Sequence, residues 1–104
     1  MYGLLGKMRA QTGQRDVLIG HLLHAAELLR DLEGCLLYII NSDPTDPEGI
    51  WVIEVWQSQA DHQASLTHEA IRALIAAARP LIAEMLLRYE VTPLGGKGLP
   101  PSTD

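Results

Sequence analysis

Ile50-Trp51-Val52-Ile53-Glu54-Val55-Trp56 is a run of seven residues without glycine or proline, dominated by β-branched and aromatic side chains. That composition predicts a strand. Period-two alternation puts Ile50, Val52, Glu54 and Trp56 on one face and Trp51, Ile53 and Val55 on the other. Both faces are largely apolar, so both need a cover. A chain of 104 residues is too short to supply two covers from its own helices.

Working outward, Cys35-Leu36-Leu37-Tyr38-Ile39-Ile40 reads as a second strand with apolar residues on both faces. Asn41 to Gly49, with two Asp-Pro steps and a glycine, joins the pair as a hairpin with a long, rigid loop. Upstream, Leu18, Leu22, Ala25, Leu29 and Leu32 form one stripe of a helix from Arg15 to about Leu32, and Gly34 supplies its stop. Tyr2 to Ala10 is a further strand, whose glycines permit close approach from above, and Gln11 to Gln14 is the turn that ends it. Downstream, Ser58 and Asp61 have the form of a capping box, so a helix begins at Gln59, and Thr67 restarts it as a longer piece. Ile71, Leu74, Ile75 and Ala78 form the buried stripe of that piece, which Pro80 ends. Leu81-Ile82-Ala83 reads as a turn, Met85 to Thr92 as the last strand, and Pro93 to Asp104 as a Gly/Pro tail.

The order strand, helix, strand, strand, helix, strand is the ferredoxin-like α+β pattern: a four-stranded antiparallel sheet with helices on one face. The expected unit is 1–94, with 95–104 as the tail. Helices on one face leave the second apolar face for another copy, which predicts a homodimer with facing sheets.

Composition narrows the function. The net charge of −5 offers no electrostatic footprint for nucleic acid or an anionic membrane. The apolar runs are far shorter than a bilayer span, and Met1 to Leu5 lacks a basic leader region, so the expectation is a cytoplasmic protein. Cys35 is the only cysteine, which excludes an internal disulfide and a Cys-based zinc cluster. Its apolar strand context suits an inert thiol.

The chain resembles the antibiotic biosynthesis monooxygenase family, small dimeric α+β barrel proteins that include quinol and anthrone monooxygenases. The likeness runs from Tyr2 to about Leu99. It rests on Gly34-Cys35, on Glu54-Val55-Trp56, on Ala60-Asp61-His62 with Ser65, and on Gly95-Gly96-Lys97-Gly98. Ser65 stands where many relatives carry histidine, and the histidines here are His62 and His68 instead. With no Asn before Asn41 and no Trp after Trp56, the chain departs from the haem-degrading branch. The resemblance implies a cofactor-independent monooxygenase that oxidises a quinol-like or polycyclic phenolic substrate with O2. A deprotonated hydroxy-aromatic can itself donate an electron to dioxygen, so the protein need only bind it, desolvate it and take its proton.

The residues offer candidates for those tasks. Trp56 suits a pocket wall with one N–H donor, and Val52 and Glu54 share its face as further substrate-binding candidates. A carboxylate there needs a partner, for which Lys7 or Arg88 are in view, or else it serves as a base. His62, in the first turn of a helix, is the leading catalytic base, because a helix N-terminus favours the neutral imidazole. His21, beside the Leu18-Leu22-Ala25 stripe, and His68, next to Glu69, are the other catalytic candidates. His21 and His24 lie three apart, but no carboxylate occupies the matching position, so no metal site is expected. Tyr38 and Tyr89 read as core or dimer-face residues. An isomerase of small oxygenated metabolites, or a binding module for a hydrophobic metabolite, would use the same pocket without oxygen.

Overall fold

The strand that decided the fold, β3 (Gly49–Trp56), pairs antiparallel on both sides, with β1 (Tyr2–Ala10) and with β2 (Cys35–Ser42). The computed structural model describes residues 1–101 and adds β4 (Ile82–Val91) beyond β1, giving the sheet order β2-β3-β1-β4. Three helices complete it: α1 (Arg15–Leu29), α2 (Gln59–Ser65) and α3 (Glu69–Ala78), the last running into a 3₁₀ turn, Arg79–Leu81. The ferredoxin-like α+β order read from the sequence is the observed one, with the second helix split in two. Residues 92–101 carry no helix or strand, and the end of the expected tail, 102–104, lies outside the described residues.

Register fixes the faces. Tyr2 lies opposite Trp56, Leu4 opposite Glu54, Gly6 opposite Val52 and Met8 opposite Ile50, so these eight share the side the helices cover. On that side Leu18, Ile50, Val52, Met8, Ala10 and Ala78 form one core cluster, and Trp56, Leu29 and Ile71 a second. Leu18 and Ile50 have no accessible surface, which places the core where α1 crosses the sheet centre. Among the described residues no helix lies on the other side. There Ile39, Ile53, Leu5 and Tyr89 line up in register across all four strands, with Ile39 41% and Tyr89 57% exposed.

Three local details differ from expectation. Helix α1 stops at Leu29 rather than about Leu32, because the chain turns away through bonds from Leu32 N–H to Leu29 O and from Cys35 N–H to Leu32 O. Gly34 is needed for space more than as a helix stop: a Cβ there would sit 2.7 Å from Asp61 Cβ on α2. Strand β4 begins at Ile82, where a turn was expected, and pairs with Ala10. Register shifts beside Met8 and Ala10 insert extra residues in β4. Simple alternation breaks there, and Ile82, Met85 and Arg88 come to line the helix side of the sheet.

The β2–β3 loop is held by Asp43, which accepts bonds from Thr45 N–H (2.8 Å), Thr45 Oγ1 (2.8 Å) and Trp51 Nε1 (3.0 Å). Lys7 Nζ reaches the same carboxylate at 3.2 Å on the uncovered side of the sheet. Lys7 therefore cannot be the partner of Glu54, which points the other way. These bonds hold the Asp43 carboxyl far below the usual carboxylate range, with the Thr45 backbone N–H the largest contribution.

Candidate active site

Between the helix side of the sheet and α1, α2 and α3 lies a pocket of about 530 Å³. Leu66, Ile75 and Met85 line it and are themselves exposed, which marks the mouth between α2, α3 and β4. The wall is mostly aliphatic, from Leu4, Met8, Leu22, Leu29, Val52 and Ile71.

The polar groups gather at the end of β3. Trp56 is 1% exposed, and its Nε1 donates to Glu54 Oε1 at 3.1 Å. The indole N–H expected to meet a ligand is thus already used within the protein. His62 Nε2 lies 3.9 Å from the same carboxylate oxygen. Its ring stands edge-on to Trp56 at 5.4 Å and tilted to Tyr2 at 5.7 Å. Helix α2 sets this position through its cap: Ser58 Oγ accepts from Asp61 N–H at 3.1 Å. His62 falls one turn in, and Ser65 Oγ donates to its carbonyl oxygen at the helix end.

Electrostatics favour a proton-accepting imidazole. Burial is the first cause pushing the His62 pKa below its ordinary value, and the Arg88 charge is the second, with Glu90 opposing. The helix start is not the agent expected from the sequence, since desolvation leads. Glu54 is pushed up by burial, against the Trp56 hydrogen bond and the Arg88 charge. Glu54 Oε1, at 3.9 Å, lies beyond hydrogen-bond reach of His62 Nε2, and burial together with the Arg88 charge sets the downward direction. Arg88 forms no ion pair with Glu54 within 4 Å among the described residues. The carboxyl instead accepts the Trp56 bond, with His62 beside it.

The expected site residues separate cleanly. Val52, Glu54, Trp56 and His62 line one pocket, and His21 lines it from α1 beside Leu22 and Ala25. His68 does not line it: it is the exposed N-cap residue of α3. His24 is exposed too, and no group of three metal-binding side chains occurs among the described residues. Among the polar lining residues, Arg79, in the turn that follows α3, and two strand residues, Tyr38 and Arg88, were not singled out for the site. Tyr38 lies opposite Glu54 on β2, its hydroxyl hydrogen-bonds no other described residue, and burial, then Glu54, push its pKa up. Arg88 joins the wall through its register opposite Gly6. Strand register identifies both, and no local sequence pattern does.

Fold and site together define a ferredoxin-like α+β domain with an internal, aromatic-ended pocket. The chain belongs to the antibiotic biosynthesis monooxygenase family, whose profile matches residues 1–77. A crystal structure of a proposed antibiotic biosynthesis monooxygenase from Chloroflexus aurantiacus J-10-fl is 46% identical, with a TM-score of 0.88 over 95% of this chain and 98% of that one. Two similarly described proteins share the fold at low identity. The one from Deinococcus radiodurans is 22% identical, with TM-score 0.79 over 92% of this chain and 95% of that one. The one from Caulobacter crescentus CB15 is 18% identical, with TM-score 0.83 over 90% of each chain. No curated protein matches the chain at a significant level.

Proposed function

We propose that this protein is a homodimeric, cofactor-independent monooxygenase that oxidises a quinol-like or polycyclic phenolic substrate with O2. The observation that carries the reading is the Glu54-Trp56-His62 cluster at the end of a roomy apolar pocket. An aliphatic wall holds a planar ring by burial. His62, kept neutral, takes the proton from the ring hydroxyl. Glu54 beside it stabilises the imidazolium that forms, and the Tyr38 hydroxyl is free to bond a second substrate oxygen.

The resulting anion passes one electron to dioxygen, giving a ring radical and superoxide, which combine at a ring carbon. The peroxide so formed takes the proton back from His62 and loses water, leaving a carbonyl. In sum, a carbon that bears two hydrogens in its keto form gains one oxygen atom, and the other oxygen leaves with both hydrogens as water. The test is oxygen uptake with a panel of anthrones, naphthols and quinols. Uptake of one O2 per product, above the uncatalysed rate, supports the reading. No uptake, with a proton exchanging at a substrate carbon, would move the protein to the isomerases.

A further inference from the structure

We propose that the substrate carries a carboxylate on the edge opposite its reactive hydroxyl, and that Arg88 recognises it at the mouth of the pocket. This rests on the pocket being the aromatic-binding site. The other cations with an assigned contact are engaged elsewhere. Arg9 reaches Asp46 at 3.3 Å and Glu84 at 3.7 Å, Arg30 reaches Glu27 at 3.5 Å, and Lys7 is held by Asp43 at 3.2 Å. Arg15 donates to the Asp46 carbonyl at 3.0 Å. Two exposed arginines, Arg79 and Arg88, line the pocket with no ion pair or side-chain hydrogen bond among the described residues; Arg79 stands on the turn that follows α3, whereas Arg88 stands on the sheet opposite Gly6, in the row next to that of Glu54. In a chain of net charge −5, an unengaged guanidinium on an apolar wall is a ready anion receptor. Its planar fork matches a carboxylate through two parallel bonds.

Register gives the substrate its orientation. Val52, Gly6 and Arg88 form one row across β3, β1 and β4, next to the row of Glu54, Leu4 and Glu90. A Cβ on Gly6 would meet nothing closer than Leu87 O at 3.8 Å, so the floor in front of Arg88 is open. Adjacent strands lie about 4.8 Å apart and same-face rows about 6.8 Å apart, so Glu54 and Arg88, two strands and one row apart, are rooted about 12 Å from each other. That matches a fused bicyclic or tricyclic ring with its hydroxyl at Glu54 and His62 and its carboxylate at Arg88. The reverse orientation would press the carboxylate against Glu54 in its buried corner, and like charge disfavours it.

Calorimetry with 6-hydroxy-2-naphthoate and its methyl ester tests this, the two differing only in the charge on the far edge. The acid is expected to bind about tenfold more tightly, as a charge-assisted hydrogen bond implies. Arg88→Gln should remove that difference by weakening the acid and leaving the ester unchanged, and Arg88→Lys should restore part of it. Arg72→Gln, at an exposed arginine of α3 outside the pocket, should keep the full difference, which separates recognition from net charge. Equal affinity for acid and ester, or a preference that survives Arg88→Gln, overturns the proposal and leaves the aromatic pocket standing. If neither probe binds, the pocket reading fails and the proposal with it. Preference for the acid without any oxygen uptake supports the proposal and removes the monooxygenase reading alone.

Discussion

At the level of single residues, Glu54 and His62 trade stability for chemistry in opposite pH windows. Burial raises the Glu54 pKa, so the folded state binds its proton more tightly than the unfolded state does. Its ionisation destabilises the fold above the raised value, and the penalty fades as pH falls below the ordinary carboxylate range near 4.3. Glu54→Gln is therefore expected to be more stable than wild type at pH 8, with the gap closing by pH 4, as urea titrations across that range would show. His62 is lowered, so the folded state binds its proton less tightly. Stability then falls as pH drops through the ordinary histidine value of about 6.5. Turnover should rise with an apparent pKa below that value, and His62→Ala should lower it roughly 10²–10⁴-fold. A pH profile with its pKa well above 6.5 would point to another base. Gly6 offers a cleaner probe of binding: Gly6→Leu fills the open floor next to Val52, so ligand affinity should drop while the β1–β3 pairing is kept.

Among the elements, α2 is the most exposed to small changes, because seven residues hold His62 against Glu54. Ser58→Ala removes the cap and should cost about 1 kcal/mol by denaturant titration. Gly34→Ala should harm activity more than stability. Its Cβ would meet Asp61 at 2.7 Å and push the first turn of α2, carrying His62 away from the pocket. Much of this layer was legible in the sequence. The strand at Ile50 to Trp56, the Ser58 cap and the apolar stripe of α1 follow from period and capping chemistry alone. The bulges of β4 were not, because an extra residue opposite Met8 or Ala10 is set by pairing and leaves no mark in local composition. The partner of Glu54 was misjudged for a related reason. Charge complementarity suggests Lys7 or Arg88, but register turns Lys7 to the other face, Arg88 forms no ion pair with Glu54 within 4 Å among the described residues, and Trp56 and His62 meet the carboxyl instead. Tyr38 and Arg88 entered the site in the same way, through cross-strand neighbours that only the assembled sheet defines.

On the scale of the whole molecule, the helices cover one side of the sheet and leave the row Ile39-Ile53-Leu5-Tyr89 facing outward. A second copy seated there would place two such rows about 10 Å apart, the spacing at which facing sheets interdigitate. Sedimentation at micromolar concentration should accordingly show a species of twice the chain mass. Ile39→Lys tests where the contact lies. The side chain is already 41% exposed in the single chain, so the substitution should cost the isolated fold little. In a dimer it would bury an unpaired charge from each copy, a cost of several kcal/mol, and should shift the population to monomer. Val17→Lys, at a 52% exposed position on α1, should leave the dimer intact. The Glu54-Trp56-His62 cluster and Arg88 all come from one chain, so an Ile39→Lys monomer that stays folded should still bind the aromatic probes. A wild-type protein that sediments as a monomer would remove the facing-sheet dimer and leave the pocket chemistry untouched, whereas a monomeric variant that loses binding would mean that the second sheet holds the first in shape.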